Sequence, residues 1–230
     1  MDSIPDRIAR VRDRVDRALG HAGRASDAVT IVAVTKTFPV ETVRAVIDAG
    51  ISDIGENRVQ ELVAKAEEVA RACRWHLVGS LQRNKVTKVV GLVHLIHSID
   101  GIDLARTVDR IGGERGAATR VLLEVNTSGE TAKHGVAPDE ARAVADTLVM
   151  LPHLDWLGLM TIGPASPDPA QTRACFRELA SLAIDLRART GRPLPHLSMG
   201  MSDDFETAIE EGATLIRLGR VLTGERGATG

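Results

Sequence analysis

The chain contains no tyrosine, and aromatic residues of every kind make up only 2% of its 230 positions. A phenol therefore cannot serve as its acid, its base or its phosphate donor. Cysteine is nearly as scarce: Cys73 and Cys175 both fall within helical patterns, with no Cys-x-x-Cys pair and no Cys/His cluster. A disulfide framework and a structural zinc site are thus unsupported. The seven histidines show no ligand spacing and the carboxylates fall mostly on helical faces, so no metal site is expected. An excess of one charge is missing too, since 29 Lys and Arg face 31 Asp and Glu for a formal net charge of -2. Nothing suggests a broad nucleic-acid or anionic-membrane footprint, although local anion sites remain open. Apolar windows such as residues 91–96 fall far short of a spanning helix, and residues 1–20 are charged throughout, unlike a signal peptide. The expectation is a cytoplasmic protein with neither a membrane nor a nucleic acid as partner.

What is present is an ordinary globular composition, 43% hydrophobic and 26% charged, in a length that suits one large α/β domain or two small ones. Residues 5–20 place Ile8, Val11, Val15 and Leu19 at helical spacing among arginines and aspartates, which predicts an amphipathic leading helix. Strands are predicted at Val29-Thr30-Ile31-Val32-Ala33-Val34-Thr35, Asp53-Ile54-Gly55, Trp75-His76-Leu77-Val78, 93–97, 120–125, 156–160, 196–199 and 214–218. Helices alternate with them: 40–49, 57–72 opened by Asn57 and Gln60 at capping spacing, one after Ser80, 100–112, 139–150, 170–190 and 203–211. Residues 161–169 form a Gly/Pro/Ser loop, and the chain ends soon after the last strand, in Gly224-Glu225-Arg226. Eight short strands alternating with helices, with no linker between halves, predict a single (β/α)8 barrel over residues 1–230. A doubly wound open sheet is the alternative, but no Gly-x-Gly-x-x-Gly turn follows any strand.

In such a barrel the chemistry lies at the carboxyl ends of the strands, and phosphate sites form after strands seven and eight. The first strand ends on Lys36. A lysine at an apolar strand end loses hydration, which favours the neutral amine that forms a Schiff base with an aldehyde; a plain solvated lysine is the alternative. Ser202 in Ser198-Met199-Gly200-Met201-Ser202-Asp203-Asp204 and the Gly219 and Arg220 amides in Arg217-Leu218-Gly219-Arg220 lie on adjacent loops, as an anion needs. Alone, Ser202 reads as a helix cap and Gly219 as a turn residue. Arg217 falls inside the last strand, where it either pairs with a buried carboxylate or donates to a cofactor ring nitrogen. Asn57 follows the second strand as a cap that also faces the mouth, and His76 lies in the third as a core histidine or a site residue. Lys133-His134-Gly135 reads as an exposed turn or a lid.

With these stretches assembled, the sequence resembles the YggS/PROSC family of pyridoxal phosphate homeostasis proteins. The resemblance runs from the leading helix to the last strand through Ala33-Val34-Thr35-Lys36, Gly55-Glu56-Asn57-Arg58-Val59-Gln60-Glu61, Trp75-His76 to Gln82-Arg83-Asn84-Lys85, Gly158-Leu159-Met160-Thr161, Leu197-Ser198-Met199-Gly200-Met201-Ser202-Asp203-Asp204 and Arg217-Leu218-Gly219. It implies a monomeric barrel of the alanine racemase N-terminal type, without that enzyme's C-terminal β domain. It further implies pyridoxal 5'-phosphate carried as a Schiff base on Lys36, with Ser202, Gly219 and Arg220 on the phosphate and Arg217 facing the pyridine nitrogen. Asn57 and His76 match motif positions near the pocket, and Arg220 stands where relatives often carry a smaller residue. The implied role is cofactor homeostasis without turnover, with apoenzymes that use the cofactor as partners. An amino-acid racemase is the alternative. Racemases of this fold type add a tyrosine from the β domain, and this chain has no tyrosine. A barrel binding another phosphate ligand noncovalently would explain Ser202 and Gly219 but leave Lys36 without a role.

Overall fold

The computed structural model describes residues 2–69, 71–165 and 168–224. Position 70 of the expected third helix, positions 166 and 167 of the expected loop and the expected end of the chain at Glu225-Arg226 lie outside them. The elements alternate: α1 (Ile4–His21), β1 (Thr30–Val34), α2 (Val40–Asp48), β2 (Asp53–Glu56), α3 (Val59–Val69), β3 (Arg74–Leu77), α4 (Val86–Val89), β4 (Leu95–Ile99) and α5 (Ile102–Glu114). The order continues with β5 (Thr119–Glu124), α6 (Ala141–Leu148), β6 (Leu154–Met160), α7 (Pro169–Thr190), β7 (His196–Ser198), α8 (Phe205–Glu210), β8 (Leu215–Leu218) and α9 (Arg220–Thr223). The eight strands close in sequence order into a barrel, each parallel to its neighbours, with β1 paired to β8 from Thr30–Leu215 to Ala33–Leu218. Single-turn connections cannot join parallel strands, so each helix is a crossover that covers the outer face.

Local chemistry starts the helices where the sequence places them. Ser3 caps α1 in a reciprocal capping box with Asp6, and Ile8, Val11, Val15, Ala18 and Leu19 bury one stripe. That stripe packs on α8 and α9, and Arg14 fixes the angle by donating to both carboxylate oxygens of Glu206 at 2.7 and 2.9 Å. Asp168 caps α7, Pro169 follows in its first turn, and Gly191 closes it in the left-handed conformation.

Two apolar layers result. The larger lies between strands and helices, with Ile54, Leu77, Ile96, Leu123, Leu159 and Ile216 among its wholly buried members. The smaller, inside the ring, consists of Val32, Val34, Val78, Leu95, Leu122, Met160 and Leu215. Full burial of each such side chain contributes about 1.5–3 kcal/mol, so this inner plug is a packed core rather than a pore.

Several boundaries differ from the sequence expectation, and three of them have a clear physical consequence or cause. Strand β4 runs to Ile99 rather than His97, because Ser98 is satisfied by the Gly79 carbonyl at 2.7 Å and Ile99 pairs with Leu123. Helix α3 begins at Val59, so Asn57 stands outside it and is not its cap. Helix α8 begins at Phe205 after Asp204, so Ser202 does not cap it either. The loop after β5 is pinned: Val125 bridges Val136, and Lys133 donates to Glu130 at 3.0 Å and to the Gly163 carbonyl at 2.7 Å.

Candidate functional site

The carboxyl ends of β1, β2, β3, β6, β7 and β8 surround a cavity of about 270 Å³ lined by Val34, Lys36, Asn57, Val78, Ile162, Met201, Ser202, Asp203, Arg217, Gly219 and Arg220. That is close to the lower limit of about 300 Å³ typical of small-ligand pockets. Six of the seven residues singled out from the sequence meet there. The exception is His76, which points into the barrel below the cavity and is 2% exposed.

Lys36 leaves β1 at the rim, and its neighbours are held firmly. Lys65, buried on α3, donates to the Thr35 carbonyl at 2.8 Å and to Glu56 and Glu61 at 2.7 Å each. The Thr35 hydroxyl donates to Glu56 at 2.6 Å, and the Thr37 amide donates to Glu61 at 2.5 Å. Thr37 adopts a positive φ of 67°, a conformation a threonine keeps only when its surroundings impose it. The lysine backbone is therefore fixed from both sides while its side chain is exposed. The loss of hydration expected of a strand-end lysine is not met, because Lys36 stands beyond the strand in the mouth rather than among the apolar side chains.

Across the cavity, the Ser202 hydroxyl accepts from the Val221 amide at a long 3.5 Å, so it faces the turn that opens α9 rather than a helix of its own. A Cβ added to Gly219 would meet little, the Val34 carbonyl oxygen at 3.5 Å being nearest. The missing side chain thus leaves room on the cavity side of this turn. Arg220 pairs with Asp203, both exposed. On the other side Gly79 allows a close approach, since a Cβ there would fall 2.4 Å from the Asn57 carbonyl oxygen. That contact seats Asn57 at the rim.

Arg217 forms the floor. Its guanidinium donates to the Ser198 hydroxyl at 2.7 Å and to the Thr161 carbonyl at 2.9 Å. Burial lowers its pKa to about 10, opposed by Glu124 and Asp204, so it stays protonated at neutral pH. The direct pairing with a buried carboxylate that the sequence allowed is not met: its hydrogen bonds go to neutral oxygens, and the carboxylates act at a distance. Behind it Ser198 meets His97 Nδ1 at 2.8 Å, His97 Nε2 meets His76 Nδ1 at 2.9 Å, and His76 Nε2 meets Asp53 at 3.0 Å. Sequence reasoning assigned no role to Ser198, His97, Asp53 or Lys65. For Ser198, His97 and Asp53 a polar residue in a short apolar strand was the one local signal, and it names no partner; Lys65, on a helix, offered none.

Fold and mouth together define a class: a parallel barrel with a lysine after β1, an arginine in β8 and a hydroxyl-and-amide turn after β7 and β8. The family model described as "Alanine racemase, N-terminal domain" matches residues 7–227. The pyridoxal phosphate homeostasis protein of Aquifex aeolicus is 41% identical over 222 residues, 96% of this chain and 97% of that one. The human protein of the same name is 36% identical over 234 residues, 95% of this chain and 85% of that one. The chain belongs to this family of pyridoxal phosphate homeostasis proteins. Among solved structures, PipY of Synechococcus elongatus with pyridoxal phosphate bound superimposes with a TM-score of 0.85 at 35% identity, covering 96% of this chain and all (100%) of that one. An alanine racemase of Clostridium difficile shares the fold, with a TM-score of 0.76 at 14% identity, over 94% of this chain and 58% of that one.

Proposed function

We propose that this protein binds pyridoxal 5'-phosphate on Lys36 and serves its homeostasis as a holder rather than a catalyst. The observation that carries the reading is the meeting of Lys36, Ser202, Gly219, Arg220 and Arg217 around one cavity. The relatives' name and the cofactor-bound PipY structure support it. When bound, the cofactor supplies an aldehyde that condenses with a primary amine and releases water. Lys36 provides that amine at a rim whose backbone Lys65 and Glu61 hold in place. Ser202 donates its hydroxyl to a phosphate oxygen, and the Gly219 and Arg220 amides donate from the open turn. Arg217 presents its remaining N–H groups to the ring nitrogen. A guanidinium keeps its protons at neutral pH, so it hydrogen-bonds that nitrogen without protonating it, leaving the ring a weak electron sink and suiting retention better than turnover. Asn57 closes the rim at the end of β2, whereas His76 acts from below without touching the ligand. The site lies on one chain, consistent with a monomer, and cofactor-requiring apoenzymes in the cytoplasm are the recipients this role implies.

The test is spectroscopic. Protein incubated with pyridoxal 5'-phosphate and freed of excess is expected to show a visible absorbance band that Lys36→Ala abolishes. Borohydride reduction followed by peptide mapping is expected to place the label on Lys36. A band that survives Lys36→Ala, or a label on another lysine, overturns the assignment.

A further inference from the structure

The barrel interior contains a continuous line of hydrogen bonds that the cavity does not need for its walls. It starts at Arg217 Nη1, passes through Ser198 Oγ, His97 and His76, and ends on Asp53 Oδ1 at the opposite end of the barrel, with links of 2.7, 2.8, 2.9 and 3.0 Å. Both imidazoles and the serine are at most 2% exposed. Asp53 opens β2 and lines a groove of about 410 Å³ on the amino-terminal face of the barrel together with Arg12, Thr30 and Arg74. Its carboxylate is held there by Arg74, whose Nε donates at 2.6 Å.

With a single proton on each imidazole, the donor inventory fixes the sense of every link. A guanidinium only donates, so Ser198 Oγ accepts from Arg217, which leaves its own proton free for His97 Nδ1. That nitrogen is then bare, and His97 bears its proton on Nε2, donating to His76 Nδ1. His76 in turn bears its proton on Nε2 and donates to Asp53. The same sense follows from the other end, since an ionised carboxylate only accepts. Hydrogen bonding to His76 and Arg74 outweighs burial and lowers the Asp53 carboxyl to about 2. Burial, with His76 and Arg217 nearby, pushes His97 well below the usual histidine range, so it stays neutral. A cation and an anion at opposite ends therefore polarise the line between them, and each link strengthens its neighbours.

We infer that Asp53, His76, His97 and Ser198 form a positioning relay that fixes the plane of Arg217, so that a carboxylate at the foot of the barrel sets how the guanidinium meets the cofactor ring. Four strands supply it, Asp53 from β2, His76 from β3, His97 from β4 and Ser198 from β7, and it reaches Arg217 on β8. Thr161 anchors the other guanidinium nitrogen through a backbone carbonyl, leaving Ser198 as the side-chain hold on the plane. The inference rests on the proposed cofactor site, but its first readout requires no cofactor.

Two-bond 15N–1H spectra of the unloaded protein labelled in histidine are expected to show both His76 and His97 protonated at Nε2. Asp53→Ala removes the terminal acceptor and is expected to mix the tautomers at both rings, whereas Asp53→Asn keeps an acceptor oxygen and should preserve them. In loaded protein, Asp53→Ala is expected to shift the visible band and weaken cofactor retention about tenfold, the scale of one hydrogen bond to a charged group. In a Ser198→Ala background, where the line is already cut, Asp53→Ala should add nothing. Should Asp53→Ala not fold, Ser198→Ala alone must shift band and retention. A proton on Nδ1 of His97 in the wild type, or a band and affinity unchanged by both Asp53→Ala and Ser198→Ala, overturns the relay. Failure of the cofactor site itself is distinguishable, because it abolishes the band of the wild type and leaves the tautomers untouched.

Discussion

Glu124 ends β5 only 4% exposed, and burial together with the nearby Asp100 raises its carboxyl to about 7, with Arg217 and His134 acting in the opposite direction. An ordinary glutamate in the unfolded chain loses its proton near 4.5. Between those values the folded protein binds the proton more tightly than the unfolded chain, so stability falls as pH rises from about 4.5 to about 7. The full shift corresponds to about 3 kcal/mol at most. Glu124→Gln removes the titration, so its stability relative to wild type is expected to be higher at pH 8 than at pH 5. Urea unfolding at the two pH values at equal ionic strength measures this directly, and an equal difference at both would show that Glu124 does not titrate there.

At the scale of elements, the candidate site depends on how β1 is held to β2 and α3. Lys65 on α3 is 6% exposed and Glu56 is wholly buried; burial raises the Glu56 carboxyl, while hydrogen bonds from Lys65 and Thr35 lower it. The second oxygen of Glu56 has no partner, so Lys65 is the only cation compensating it among the described contacts. Removing one member of a buried pair costs about 3–5 kcal/mol. Lys65→Met is expected to lower unfolding free energy by about 3 kcal/mol, since Glu56 can relieve part of the cost by taking up a proton. Arg110→Ala, which breaks the exposed pair with Glu114 on α5, should cost well under 1 kcal/mol. Equal losses in chemical denaturation would mean that Lys65 does not anchor β1. Neither Lys65 nor the relay was legible in the sequence. Lys36, Arg217 and Gly219 were visible because their residue types interrupt apolar runs at strand ends. The bonds from His76 to His97 and from His97 to Ser198 span 21 and 101 residues, and no local period encodes such a pairing. Lys65 lies within an amphipathic helix, where a lysine reads as solvated; only closure of the barrel turns it inward. The strand and helix alternation was legible because eight apolar runs separated by helical patterns leave few other architectures, whereas the ends of β4 and α3 depended on partners such as Gly79 and Leu123.

At the scale of the molecule, the closed ring places β1 and β5 opposite one another, and the proton chemistry available around the mouth follows from what each strand brings there. Inverting an amino acid requires a base on one face of its Cα and an acid on the other. Lys36 can serve one face. The 230 residues contain no tyrosine for the second, and Glu124, on the strand opposite, is not among the cavity's lining residues. In the proposed site Arg217, protonated and fixed, would leave the ring a weak electron sink, which would slow proton loss from anything attached to it. Loaded protein given L-alanine in deuterium oxide is therefore expected to incorporate deuterium at Cα no faster than free pyridoxal 5'-phosphate at the same concentration, with no D-alanine accumulating. Chiral chromatography and mass spectrometry read both. Turnover on the order of 1 per second, an ordinary enzymatic rate, would require a second acid or base within reach of the cavity, and the holder reading would give way to a catalytic one.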